Sequence, residues 1–111
     1  MKIYGIKNCD TVKKALKYLD AKGVSYDFID YKKTPPTKDD LKRWDIAFGE
    51  LPANKRGPTF RKIKEDFESA TKAQQISLLI ENTSAIKRPI LEKGKTTLRG
   101  FSLDEWDKIF K

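Results

Sequence analysis

The sequence predicts an α/β chain built on one mixed four-stranded sheet flanked by helices, with a helical segment inserted between strands 2 and 3. Three observations carry this. The chain opens with a strand, a helix and a strand in about 30 residues, a βαβ unit. Its middle changes to helical periodicity. Its end reads as a hairpin followed by one more helix.

Lys2 to Ile6 reads as a short strand, with Ile3, Tyr4 and Ile6 closed off by Lys7 and Asn8. From Asp10 the period changes: Val12, Ala15, Leu16 and Leu19 fall at i, i+3, i+4 and i+7, one face of a helix, while Lys13, Lys14, Lys17 and Asp20 face water. Gly23 supplies the left-handed residue that ends it. Val24, Tyr26 and Phe28 alternate with polar residues and run on to Ile29 and Tyr31, a second strand, which a right-handed crossover places parallel to the first.

Thr34-Pro35-Pro36 breaks the chain. Thr37 with Asp40 forms a variant capping box for a helix with Leu41, Trp44 and Phe48 inward. Gly49, Pro52, Gly57 and Pro58 mark an irregular stretch, Phe60, Ile63 and Phe67 a short helix, and Thr71 with Gln74 the cap of another, which carries Ile76, Leu79 and Ile80. Beyond Pro89, Ile90-Leu91 and Thr96-Leu98 flank Glu92-Lys93-Gly94-Lys95 as a hairpin. Ser102 with Glu105 caps the last helix, whose core face is Leu103, Trp106 and Phe110. These elements make a single domain over 1–111, with its core at 1–31 and 87–111 and the helical insertion at about 37–82.

Composition narrows the chemistry. No His is present, which excludes Ser-His-Asp and Cys-His catalysis and His-ligated metals, and the single Cys excludes an internal disulfide or a cysteine-cluster metal site. No metal site is expected. Lys and Arg number 24 against 16 Asp and Glu, a net charge of +8. The excess is local: Lys55, Arg56, Arg61, Lys62 and Lys64 precede the next acid, and Lys87, Arg88, Lys93, Lys95 and Arg99 surround Glu92. Such stretches favour anionic partners. Nucleic acid is disfavoured, because no recognition motif or aromatic platform accompanies the charge. Apolar runs such as Leu78-Leu79-Ile80 fall far short of a membrane span, and the opening residues turn polar too soon for a signal peptide. A cytoplasmic protein with a free thiol is expected, with no membrane partner.

Cys9 stands where the first strand gives way to the first helix, between Asn8 and Asp10-Thr11. A lone cysteine elsewhere reads as a small buried hydrophobe. Here its neighbours are polar, and a thiol at a helix N-terminus meets unsatisfied N–H groups and the positive end of the helix dipole, which favour thiolate. Asp10 opposes this effect; Lys7 and any arginine folded against the site support it.

The run Gly5-Ile6-Lys7-Asn8-Cys9-Asp10-Thr11-Val12-Lys13-Lys14-Ala15 resembles the opening of the arsenate reductase (ArsC)/Spx family, particularly its YffB-like branch. The likeness continues through Tyr31, Pro35-Pro36-Thr37, Asn54-Lys55-Arg56-Gly57, Lys87-Arg88-Pro89-Ile90 and Gly100-Phe101-Ser102, nearly the whole chain in order. It implies a thioredoxin-like fold with Cys9 as nucleophile and Arg88 as the arginine that binds an anionic substrate. Pro89 matches the family's cis-proline, so a cis Arg88-Pro89 bond is expected. Arg56 matches an arginine-bearing loop with the arginine shifted along it. Asn8 and Thr11 join the anion site as neighbours of the thiol, with Lys7 and Arg99 as further candidates.

Two departures matter. A third arginine of arsenate reductases would fall near Phe101 or Ser102, where none stands, and the second cysteine of the Spx pattern falls at Val12. The resemblance therefore implies a glutathione-dependent thiol reductase, with arsenate reduction coupled to glutathione and glutaredoxin, or a non-enzymatic Spx-like interaction protein, as alternatives. No bound cofactor is expected. Glutathione is the co-substrate, with glutaredoxin as a possible partner, a small anion as substrate, and a monomer as the working form.

Overall fold

In the computed structural model, residues 1–110 are described. The elements run β1 (Lys2–Gly5), α1 (Asp10–Lys22), β2 (Asp27–Asp30), α2 (Lys38–Phe48), α3 (Pro58–Ser69), α4 (Lys72–Glu81), a 3₁₀ turn (Thr83–Ala85), β3 (Ile90–Lys93), β4 (Thr96–Arg99) and α5 (Leu103–Ile109). By packing, the chain divides into two compact units: residues 1–30 with 88–110, and residues 31–87. No helix among the described residues is long and apolar enough to cross a membrane.

The first unit holds the sheet, in the order β2-β1-β3-β4. β1 and β2 are parallel, as the crossover through α1 requires, and the other two pairings are antiparallel. Ile3 stands opposite Leu91 in the β1–β3 ladder. Both lie on the face that packs against Ala15 and Leu19 of α1 and against Trp106 and Phe110 at the chain's end. Tyr18, Phe101 and Phe110 meet Trp106 at ring-centroid distances of 5.8, 4.9 and 6.1 Å. Gly94 turns the β3–β4 hairpin with φ of 59°, and Gly23 ends α1 in the left-handed conformation.

In this unit and at its border, three sequence expectations need correction. β2 begins at Asp27, not Val24, because its ladder partner β1 begins at Lys2, which pairs with Asp27. Tyr31 lies beyond the strand and is buried in the second unit, where its hydroxyl donates to the Lys87 carbonyl at 3.2 Å. Leu103 is 58% exposed rather than in the core. Its helical position is right for the Trp106–Phe110 stripe, but the first turn of α5 finds no apolar surface to cover it.

The second unit is helical. α2 and α4 each begin with a complete capping box, Thr37 with Asp40 and Thr71 with Gln74. α3 is longer than the expected short helix: Pro58, read as part of the irregular stretch, is its first residue, a place where proline's missing N–H costs nothing. Leu41, Trp44, Phe60, Phe67, Ile76 and Leu79 are buried. An isolated bridge between Ala53 and Ile86, flanked by Asn54 N–H to Ala85 O and Lys87 N–H to Pro52 O (both 2.7 Å), fixes the segment before α3 against the segment before Arg88.

Gly5 closes β1 under the first turn of α1. A Cβ there would stand 2.9 Å from Val12 Cγ2, and valine is stiff at χ1 and fully buried. Gly5→Ala should destabilise the protein by about 1–3 kcal/mol in urea unfolding. Adding Val12→Ala should recover part of that loss, because the second change removes the atoms the new methyl strikes.

Candidate active site

β1 ends at Gly5, Lys7 and Asn8 form a turn, and Cys9 is the N-cap of α1 with extended φ and ψ of −118° and 124°. The helix starts here because the amphipathic stripe begins at Val12 and because Lys13 N–H bonds to Cys9 O at 2.9 Å. The thiol is half-buried. Its sulfur closes no cap hydrogen bond of full geometry, yet the amides of Thr11 and Val12 lie close enough to act on it.

Arg88 reaches the same sulfur from the other end of the unit. It precedes Pro89 across a cis peptide bond, as expected for the Arg-Pro pair. Pro89 O accepts from Gly100 N–H at 2.8 Å, and Ile90 then enters β3 opposite Tyr4 of β1 and Arg99 of β4. The residue carrying the guanidinium is thus tied to the central strands that also carry Cys9.

The electrostatic balance at the sulfur is a contest. Burial, the largest single influence, pushes the thiol up. The Val12 amide, the Arg88 guanidinium through hydrogen bonding and charge, and the Thr11 amide together outweigh it, so Cys9 titrates below its ordinary value of 9.0. Below that ordinary value but above the lowered one, the folded protein holds a thiolate.

The structure therefore brings together Cys9, Arg88, Pro89 and the backbone of Thr11. Thr11's side chain is exposed, as are Asn8 and Lys7 in the turn before the cap. Arg99 is exposed on β4, opposite Ile90. Arg56 belongs to the second unit, exposed in the turn between Asn54 and Gly57. One contributor was not named by the sequence reading. The Val12 amide was legible only as one of the helix's first N–H groups.

Comparison with known proteins places these features. Residues 4–109 match the ArsC family. The solved YffB protein PA3664 is 41% identical, with 99% of this chain and 98% of that one covered and a TM-score of 0.91. An arsenate reductase (ArsC) related protein from Brucella melitensis is 37% identical, covering 99% and 93%, with a TM-score of 0.71. An uncharacterized protein of Haemophilus influenzae is 38% identical over 110 residues, 97% of this chain and 96% of its own. The four-stranded mixed sheet is the thioredoxin-like α/β fold of these neighbours. With its cysteine at the first helix cap and its arginine before the cis-proline, the chain belongs to the ArsC family, in its YffB-like branch.

Proposed function

We propose that this protein is a glutathione-dependent thiol reductase working through Cys9 alone. One observation carries the reading: the sulfur sits at a helix N-cap beside a guanidinium, which together hold its pKa below the ordinary value despite burial. Thiolate is the nucleophile of disulfide exchange, so this placement increases the share of the reactive form at pH values below the ordinary cysteine range.

The cycle has two displacements. Cys9 thiolate attacks the glutathione sulfur of a mixed disulfide; a Cys9–glutathione disulfide forms, the substrate's S–S bond breaks, and the substrate thiolate leaves to take a proton from water. A second glutathione thiolate then attacks the glutathione sulfur of that adduct, releasing oxidised glutathione and restoring Cys9 thiolate. The net exchange converts one mixed disulfide and one glutathione thiol into the free substrate thiol and oxidised glutathione, with Cys9 unchanged. The chain has one cysteine, so the second thiol comes from glutathione or a glutaredoxin. Arg88 serves as the anion-binding group, its planar fork suited to a glutathione carboxylate. The reaction needs no bound cofactor, runs in a reducing compartment such as the cytoplasm, and asks only for a monomer.

The test is the pH dependence of Cys9 alkylation, followed by mass analysis after oxidised glutathione. The alkylation midpoint should fall below 9.0, and one glutathione should add. Arg88→Met, which keeps the apolar stem and removes the charge, should move that midpoint up, because the thiolate loses both a donor and a countercharge. A midpoint already ordinary in the native protein sinks the reading.

Membership of the ArsC family supports arsenate as an alternative substrate, attacked at arsenic by the same thiolate. Glutaredoxin-coupled turnover of arsenate, with none of a small mixed disulfide, would select it. Failure of both assays, with capture of a transcription component, would select the Spx-like regulatory role.

A further inference from the structure

The run Gly100-Phe101-Ser102 joins β4 to α5 and touches both elements that meet at the Cys9 sulfur. On one side, Gly100 N–H donates to Pro89 O at 2.8 Å, one residue from Arg88. The β3–β4 register sets Ile90 opposite Arg99, so Pro89 and Gly100 are the next pair along it. An antiparallel pair of this kind exchanges two N–H···O bonds, but proline has no N–H to give. The Gly100 donor is therefore the one ladder bond open to this rung. On the other side, the Phe101 ring meets Tyr18 of α1 edge-on at 5.6 Å and Trp106 of α5 at 4.9 Å. That same α1 carries Cys9 at its cap, about 14 Å along the axis from Tyr18.

The backbone between these two anchorages needs glycine. Gly100 has φ of 75°, the left-handed region, where a Cβ would crowd the following carbonyl. That turn aims the Gly100 N–H at Pro89 O and the next side chain at the Tyr18–Trp106 cluster. Beyond it, Ser102 caps α5, with Trp106 N–H bonded to Ser102 O at 2.9 Å. A long guanidinium stem meets a fixed sulfur only when the backbone that carries it is held to within about 0.5 Å.

We propose that Gly100 is a positioning residue: its left-handed backbone and inward N–H hold the Pro89 carbonyl in place relative to α1, and so set the Arg88 guanidinium against the Cys9 sulfur. This role rests on the Arg88–Cys9 contact of the proposed function, whichever substrate the thiolate attacks.

The experiment is Cys9 alkylation against pH in a set of variants, each checked for a native near-ultraviolet circular dichroism signal. Gly100→Val, whose branched Cβ strongly disfavours left-handed backbone, should raise the midpoint by about half or more of the rise caused by Arg88→Met. If valine prevents folding, Gly100→Ala carries the same test. Gly100→Asn, which tolerates that backbone, should stay near the native midpoint. Gly23→Val puts the same strain (φ 70°) at the far end of α1, and should lower the melting temperature without moving the midpoint. Gly100→Val combined with Arg88→Met should match Arg88→Met alone, because Gly100 acts through Arg88. The proposal is overturned by a native midpoint in the folded Gly100→Val or Gly100→Ala protein, by an equal rise in Gly100→Asn or Gly23→Val, or by additive shifts in the double variant. An unmoved midpoint in Arg88→Met itself removes the proposed function and this role together; a moved one there, with none in the Gly100 variants, removes the positioning role alone.

Discussion

Cys9→Ser should reduce turnover of a glutathione mixed disulfide to the uncatalysed background while leaving the melting temperature nearly unchanged. The expectation follows from the bonds involved. A serine oxygen cannot form the intermediate disulfide, and no second cysteine stands in reserve. The thiol is half-buried at a cap that closes no side-chain hydrogen bond of full geometry, so little packing depends on its sulfur. The pH profile of the native protein adds a sign. Turnover should persist below the ordinary cysteine range and fall only as pH drops through the lowered pKa. The same depression means that the thiolate contributes stability above the unfolded-state pKa, which is lost as pH falls through the folded one. Residual turnover in Cys9→Ser under glutathione-coupled conditions would refute the mechanism.

Trp106→Ala should have the largest effect on stability. The indole is 1% exposed and stands at the centre of the first unit's core, against Phe101, Tyr18 and Phe110, with Ile3, Leu19 and Leu91 in the same cluster. Removing it leaves a cavity lined by rings that cannot collapse into it, at a cost of about 3–5 kcal/mol. Domains of this size have about 5–15 kcal/mol in all, so the variant should melt about 15 °C or more below the native protein. Leu103→Ala is the matched control. Its side chain is mostly in water, and a change within about 0.5 kcal/mol is expected. Equal losses in the two variants, read by urea unfolding, would contradict the packing described.

The contrast between Trp106 and Leu103 shows what periodicity encodes. Both positions carry the right residue at the right spacing, and the helix forms as that spacing requires. Periodicity places a residue on a face; whether another element covers that face depends on residues distant in the chain. The same reason shortened β2: alternation reached back to Val24, but a strand lasts only as long as its partner. Local signals with local causes were legible, among them the Thr37 and Thr71 caps, the left-handed Gly23, the hairpin turn around Gly94 and the βαβ opening.

The candidate site divides along the same line. Sequence alone determined that the single sulfur stands at the first turn of α1, because the strand signal, the polar turn and the onset of helical period all fall within a dozen residues. It also favoured Arg88 as the cation beside that sulfur, with Arg56 second and Lys7 and Arg99 as further candidates, on the strength of a resemblance and not of any local physical signal. Only the tertiary structure brings the Arg88 guanidinium to the Cys9 sulfur, where it hydrogen-bonds and lowers the thiol's pKa. Helix and cap formation are settled by neighbours within a turn or two. Which guanidinium meets a thiol is settled by strand pairing between β1 and β3, an interaction that no local window of residues contains.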